Sequence, residues 1–180
     1  NIEDHHEAVI LVGDPSDPEW ADLCRRQSDV TVLVGSAMSV AAASRDALGA
    51  AGALGQDPDD HGPTPRHLVV IHRSAPPIET AAVATWFGVD RCHHIHADAR
   101  ADVERVARIV TGRSVGLVFG GGGARGFAHL GAVRAFLEAE VPVDHVGGSS
   151  IGAAVASAMA SGWEWDRMVE MVRMVTYGSG

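Results

Sequence analysis

The sequence contains no lysine, and its 14 arginines face 23 acidic residues, which gives a formal net charge of −9. Proteins that bind nucleic acid generally carry a basic face, so this balance excludes a generic nucleic-acid-binding protein. Cysteine is also scarce, because Cys24 and Cys92 are the only two and neither belongs to a Cys-x-x-Cys pair. We therefore expect no disulfide scaffold, and two thiols in a reducing compartment.

Long apolar runs are absent as well. No apolar segment approaches the roughly 18 residues that a membrane-spanning helix needs. The chain opens on Asn1 without the basic and then apolar pattern of a secretion signal, and we expect it to be a piece of a longer protein. A composition of 46% hydrophobic and 21% charged residues is typical of a folded chain rather than a disordered one.

The distribution of charge divides the chain into two parts. Residues 1–112 hold 17 acidic residues and 9 arginines, whereas residues 113–180 hold 6 acidic residues and 5 arginines and are rich in glycine and alanine. The sequence therefore predicts an acidic α/β module over 1–112, followed by a separate domain that begins at residue 113.

Short apolar runs alternate with helical patterns along both parts. A helix is predicted after each strand, and a further amphipathic helix runs from Trp163 to Val175. Strands that alternate with helices predict parallel pairing with right-handed crossovers, so the expected fold class is three-layer α/β with a mainly parallel sheet. The predicted strands cover residues 8–12, 30–34, 67–72, 91–97, 114–119 and 144–147.

A Gly-x-Ser-x-Gly motif, Gly148 to Gly152, lies between a predicted strand and a predicted helix. This is the context of a nucleophile elbow, in which Ser150 stands on a strained turn with its hydroxyl clear of the sheet. Glycines flank the serine because a Cβ there would collide with neighbouring backbone. The alternative, in a chain with 21 glycines, is a glycine-rich connection in which Ser150 only caps the helix.

A second glycine motif, Gly121-Gly122-Gly123-Ala124-Arg125-Gly126, lies between the preceding strand and its helix. Consecutive glycines leave backbone N–H groups bare, and these can converge on an oxyanion. In a parallel sheet, both motifs fall at the carboxyl ends of adjacent strands. The sequence therefore predicts an oxyanion-binding loop beside a serine nucleophile.

The same loop also fits a dinucleotide-binding fingerprint, Gly121-x-Gly123-x-x-Gly126. That fingerprint needs an acid at the far end of the next strand, whereas Asp144 begins that strand. A P-loop is excluded because no Gly-Lys-Ser/Thr ending, and no lysine, is present. The alternative to an enzyme is therefore a catalytically inactive or regulatory α/β module that binds a nucleotide or a lipid through the loop.

Residues 116–157, GLVFGGGGARGFAHLGAVRAFLEAEVPVDHVGGSSIGAAVAS, together with ARIVTG at 107–112, resemble the patatin-like phospholipase family. They look most like its neuropathy-target-esterase branch of lysophospholipases, and the strands DVTVLVG and HLVVIHR are more loosely similar. The resemblance implies serine-dependent hydrolysis of carboxylic ester bonds in phospholipids or lysophospholipids, with no cofactor and no metal. It also implies a cytoplasmic, peripherally membrane-associated protein with upstream nucleotide-binding regulatory domains.

The resemblance also implies roles for individual residues. Ser150 would be the nucleophile, Gly121, Gly122 and Gly123 would form the oxyanion hole, and residues 113–180 would be the N-terminal part of the phospholipase domain. The family's partner for the serine is an Asp in a later Asp-Gly-Gly/Ala motif, with no histidine. These 180 residues contain no Asp-Gly pair, so we expect that Asp to lie outside this chain and the piece alone to be inactive. Residues that support the two motifs are Ala124, Arg125, Gly126, Gly148 and Gly152.

Several other residues could carry chemistry but are more typical of structure. His129 and His145 flank the two motifs, and we interpret them as packed or capping side chains rather than as the base. The run His93–His96 places two imidazoles on one strand face, but a metal would need a third ligand. Arg125 is interpreted as tying its loop through hydrogen bonds.

A stripe of large side chains near residue 170 allows two interpretations. At helical spacing it is more typical of core packing, and the alternative is a flap that faces lipid. The stripe consists of Trp163, Trp165, Met168, Met171 and Met174.

Overall fold

The computed structural model describes residues 5–6, 8–14, 16–47, 64–73 and 80–177. The chain divides into two compact units, Asn1–Val110 and Thr111–Gly180. Each unit is built from parallel strands and helices, which confirms the predicted α/β fold class.

The first unit contains a three-stranded parallel sheet in the order β1-β2-β3. Its first helix begins as the sequence predicts, because Asp17 Oδ1 accepts a hydrogen bond of 3.0 Å from the Trp20 amide and Pro18 takes the first helical position. The strands are β1 (Thr31–Ser36), β2 (Arg66–His72) and β3 (Arg91–His96), and the helices are α1 (Pro18–Gln27), α2 (Ala37–Ala47), α3 (Thr80–Trp86) and α4 (Arg100–Val110).

Helices cover both faces of this sheet. Leu68 and Val70 of β2 pack on one side with α2 and α3, through Val40 and Val83. The alternate residue Val69 packs on the other side with α4. This alternation places apolar side chains on both faces of β2, which is why its sequence is a continuous apolar run. The predicted loop around residues 48–63 and the predicted helix start at Pro77 lie outside the described residues.

The predicted strand at residues 8–12 is wrong. The segment joins no strand ladder among the described residues, and Ile10 and Val12 are 85% and 75% exposed. The Val12 carbonyl instead accepts a hydrogen bond of 2.8 Å from the Trp20 indole of α1. A short apolar run becomes a strand only where it forms a ladder with a neighbouring strand, and among the described residues this segment does not pair with the free edge of β1. The second predicted strand also continues through Gly35 to Ser36 instead of ending at the glycine.

The second unit contains two parallel strands, β4 (Gly116–Phe119) and β5 (His145–Gly148). One face of this pair is covered by a core that includes Phe119, Val133 and Val155, whereas Val118 points away from it and is 85% exposed. A short 3₁₀ helix covers Gly123–Phe127 after β4, and the α-helices are α5 (Ala128–Glu138), α6 (Ile151–Ala160) and α7 (Trp165–Tyr177).

The stripe of large side chains on and before α7 belongs to this core. Met168 is buried, and the Trp165 indole donates a hydrogen bond of 3.0 Å to the Leu130 carbonyl of α5. Trp163 and Met171 pack against the same cluster, whereas Met174 is exposed. Core packing is therefore confirmed for the stripe apart from its last residue.

None of the helices in the described parts of the chain is long and apolar enough to cross a membrane.

Candidate active site

Ser150 lies in the turn between β5, which ends at Gly148, and α6, which begins at Ile151. Its backbone has φ 52° and ψ −126°. L-residues rarely adopt this region, and holding one there costs about 1–3 kcal/mol, which the surrounding structure must supply. A strained serine on a turn between a strand and a helix is typical of a nucleophile elbow.

Steric crowding requires glycine at the positions two residues before and two residues after Ser150. A Cβ on Gly148 would lie 2.5 Å from the carbonyl carbon of Gly152, and a Cβ on Gly152 would collide with the carbonyl oxygen of Phe119 at the end of β4. Real Cβ atoms do not approach other atoms so closely. The first turn of α6 can therefore pack against both strand ends only because these two positions carry no side chain.

The Ser150 hydroxyl is not used to cap α6. Ser150 occupies the N-cap position, and its carbonyl accepts a hydrogen bond of 2.9 Å from the Ala153 amide, but its side chain makes no capping hydrogen bond. The interpretation of Ser150 as a helix cap is therefore wrong. The residue is exposed, and the positive end of the α6 dipole lies beside it, which favours negative charge.

The glycine loop after β4 runs beside the elbow. A Cβ on Gly121 would lie 3.5 Å from Ser150 Cβ and 3.5 Å from Ser149 Oγ. The structure thus brings Gly121 next to Ser150, although 29 positions of sequence separate them. Gly122 lies one residue further on, where its carbonyl accepts a hydrogen bond of 3.1 Å from the Arg125 amide. Gly123 opens the 3₁₀ helix with φ +54° and has open space at its Cβ position.

The remaining residues of the second glycine motif are Ala124, Arg125 and Gly126, and they differ in burial. A Cβ on Gly126 would collide with the Ile151 side chain, so this glycine allows the 3₁₀ helix to touch the start of α6. Ala124 and Arg125 are exposed. The Arg125 guanidinium has no hydrogen bond or ion pair with any residue that the structure describes, so the described residues give no support to the interpretation of Arg125 as a tie for the loop.

No histidine that the structure describes in the second unit forms a hydrogen bond with Ser150. His129 Nε2 lies 2.8 Å from the carbonyl oxygen of Gly120, and its ring packs on Phe119 with 5.2 Å between the ring centroids. His145 is exposed on β5. Over the described residues 80–177, no imidazole and no carboxylate forms a hydrogen bond with Ser150. Sequence reasoning gave His129 a packing or capping role without identifying the Gly120 carbonyl as its partner, and no local pattern reveals that contact.

Asp144 does not occupy the position of a ribose-binding acid. It precedes β5, and its carboxylate accepts a hydrogen bond of 3.0 Å from the Val115 amide before β4. This contact joins the amino ends of the two strands, whereas the glycine loop and Ser150 follow their carboxyl ends. The placement disfavours the dinucleotide-binding interpretation of the loop.

The histidines of the first unit form pairs across two strands. His67 Nδ1 lies 2.9 Å from His93 Nε2, and His72 Nε2 lies 2.8 Å from His94 Nδ1. Burial lowers the pKa of His67 and of His94, because the charged imidazolium loses its hydration there. His96 instead lies 3.3 Å from an Asp102 carboxylate oxygen. Within the described ranges, no group of three or more His, Cys, Asp and Glu residues is arranged to hold a metal ion.

Comparison with known proteins shows which family the sequence is similar to. Residues 117–175 match the sequence model of the family described as patatin-like phospholipase. The chain is 32% identical to mouse patatin-like phospholipase domain-containing protein 6 over 188 residues, and 31% identical to the neuropathy target esterase sws of Drosophila sechellia over 200 residues. These alignments cover 88% and 94% of this chain but only 13% of each relative, so the chain spans about an eighth of their length.

A shorter alignment is more similar. The chain is 56% identical to patatin-like phospholipase domain-containing protein ZK370.4 of Caenorhabditis elegans over 63 residues, which is 35% of this chain and 5% of that protein. No solved structure matches the chain at a comparable significance.

Proposed function

Residues 117–175 of this chain belong to the patatin-like phospholipase family, and from that premise we propose that the protein hydrolyses carboxylic ester bonds of phospholipids or lysophospholipids with Ser150 as its nucleophile. The backbone of Ser150, at φ 52° and ψ −126° between a strand and a helix, is the observation that carries the proposal. The printed names of the relatives, which include an esterase and phospholipase-domain proteins, support lipid esters as the substrate class.

The first chemical step places charge beside the glycine loop. Ser150 Oγ attacks the ester carbonyl carbon, and the carbonyl oxygen becomes a tetrahedral oxyanion. Backbone N–H groups of Gly121, Gly122 and Gly123 are proposed to donate hydrogen bonds to this oxyanion, which lies about 3 Å from its donors. Removing one such donor typically slows an enzyme by about 10²–10³-fold. The N-terminus of α6 adds a favourable field.

The proton on Ser150 needs an acceptor, and we propose an Asp that is supplied from outside these 180 residues. No imidazole or carboxylate among the described residues bonds the serine, and the sequence contains no Asp-Gly pair of the kind in which the family's Asp occurs. The Asp would accept the serine proton, and that proton would then pass to the departing alcohol of the lipid. The acyl group then remains on Ser150 Oγ as an ester. The Asp would next deprotonate water, whose oxygen attacks this ester carbonyl; the bond to Ser150 Oγ breaks, the fatty acid leaves, and the serine oxygen takes the proton back from the Asp. These 180 residues alone are therefore expected to lack turnover.

We also propose that the protein works in the cytoplasm and contacts membranes peripherally. Two free cysteines, one of them buried, are in keeping with a reducing compartment. A phospholipid substrate resides in a membrane, so contact with the membrane surface follows from the proposed reaction.

Covalent labelling of the intact protein tests the nucleophile. A fluorophosphonate probe is expected to modify Ser150, and peptide mapping should recover the adduct on that residue. In the Ser150→Ala variant, the probe should label no serine under the same conditions. An adduct on another serine, with Ser150 unmodified, would overturn the assignment.

A further inference from the structure

His129 holds one particular peptide group of the glycine loop. It lies in the first turn of α5, and its Nε2 is 2.8 Å from the carbonyl oxygen of Gly120. A carbonyl oxygen only accepts hydrogen bonds, so Nε2 carries the proton and donates it to Gly120. The half-buried ring also packs on Phe119, the last residue of β4. The imidazole is thus fixed on two sides.

The Gly120 carbonyl and the Gly121 N–H belong to the same peptide group. The described residues contain no cis peptide bond, and in a trans peptide the C=O and the N–H point in opposite directions. A carbonyl that is held toward α5 therefore turns the Gly121 N–H away from α5. Glycine on both sides of this peptide leaves it little steric resistance to rotation, so a specific contact is needed to select one orientation.

The peptide is also confined on the side of the elbow. A Cβ on Gly152, in the first turn of α6, would lie 2.6 Å from the Gly120 carbonyl oxygen. A Cβ on Gly121 would lie 3.5 Å from Ser150 Cβ. The Gly120–Gly121 peptide is therefore bounded by His129, by the start of α6 and by the serine.

We propose that His129 is a positioning residue, which aims the Gly121 N–H at the oxyanion by holding the Gly120 carbonyl. This inference rests on the proposed function, because it concerns the same oxyanion. It assigns His129 no proton transfer with the substrate. Loss of its hydrogen bond leaves the peptide held only by packing against the start of α6 and the serine, and the donor then spends only part of its time in the productive orientation.

Three variants of the intact protein test this role. His129→Leu removes the donor, His129→Gln restores an N–H donor of similar reach, and His145→Leu removes the exposed histidine of β5 as a matched control. Each variant is assayed for kcat and KM with a lysophospholipid and for inhibition by a trifluoromethyl ketone lipid analogue, which forms a tetrahedral oxyanion on the serine. Fluorophosphonate titration counts the active sites.

The positioning role predicts a distinct pattern. His129→Leu lowers kcat per titrated site by about 10–10²-fold with KM changed by less than about 2-fold, and it weakens ketone inhibition by a similar factor. His129→Gln recovers most of the lost kcat, and His145→Leu matches the wild type.

Two results would overturn the proposal while leaving the nucleophile in place. One is an unchanged kcat per titrated site in His129→Leu. The other is a His129→Gln protein as inactive as His129→Leu, which would show that an N–H donor to the Gly120 carbonyl is not what supports turnover. Hydrolysis that survives in Ser150→Ala would instead remove the proposed function itself, and the positioning role with it.

Discussion

Gly121 and Ser150 stand side by side, with 3.5 Å between the position of a Cβ on the glycine and the Cβ of the serine. They reach this arrangement because β4 and β5 are parallel neighbours, so that the loop after one strand and the turn after the other meet at the same edge. A bare backbone next to an exposed serine hydroxyl is what an acyl-transfer site needs, since the oxyanion must lie close to both.

Replacing Gly121 by valine should harm catalysis more than stability. The added methyl groups would extend from a position 3.5 Å from Ser150 Cβ into the space where the substrate carbonyl must enter. We expect kcat/KM for a lysophospholipid to fall by about 10²–10³-fold, the loss typical of one oxyanion donor.

The matched control is Gly131→Ala on α5, where an added Cβ meets nothing within 4 Å. It should keep wild-type turnover. Normal turnover in Gly121→Val, measured on protein that unfolds at the wild-type temperature, would show that this part of the loop does not face the reacting carbonyl.

Backbone strain at Ser150 predicts an unusual ranking of stabilities. Serine and alanine both have a Cβ and suffer equally at φ 52°, whereas glycine adopts this region freely. Ser150→Gly should therefore exceed Ser150→Ala in unfolding free energy by about 1–3 kcal/mol. Urea denaturation followed by tryptophan fluorescence measures the difference. Equal stabilities for the two variants would mean that Ser150 is not held in the strained conformation.

The paired histidines of the first unit predict a loss of stability in mild acid. Burial lowers the folded-state pKa of His67 and of His94 below the ordinary value of a histidine; for His67 the Arg91 charge adds to this shift and the Asp90 charge opposes it. As pH falls through the unfolded-state pKa, the unfolded chain takes up protons that the folded chain still excludes. The free energy of unfolding therefore decreases from that pH downward, and the loss is complete below the folded-state pKa.

Variants at these positions separate the histidines from other acid-sensitive groups. A His67→Gln/His94→Gln double variant should lose less unfolding free energy than the wild type between pH 7.5 and pH 5. The exposed His145→Gln variant should show the full wild-type loss. Equal pH dependence of the double variant and the wild type would rule out these two imidazoles as its source.

Much of this site could be predicted from the sequence, because its elements are local. Each glycine motif directly follows one strand and precedes one helix, which a short stretch of sequence is enough to predict. Parallel pairing of the two strands then places the motifs together. The contact of His129 with Gly120 could not be predicted, since it depends on how α5 packs against the loop.

The sequence did not predict the contacts that depend on strand register or on residues distant in the chain. The register of β2 and β3 places His67 opposite Arg91, and His67 reaches His93 because that residue lies two positions further along β3 on the same face. The apolar run at 8–12 has the composition of a strand, but whether it finds a neighbouring strand to pair with depends on the tertiary structure. The Ser150 hydroxyl was open to two roles in the sequence, and the structure was needed to show that it makes no capping hydrogen bond.

Lysophospholipid hydrolysis by the intact protein tests the central assignment most directly, with Ser150→Ala compared against Ser149→Ala. The two serines are adjacent, and an alanine at 149 keeps the backbone hydrogen bond of 3.1 Å from residue 149 to the Phe119 carbonyl. We predict that Ser150→Ala abolishes fatty-acid release, whereas Ser149→Ala retains it. Hydrolysis at the wild-type rate by correctly folded Ser150→Ala would contradict the account.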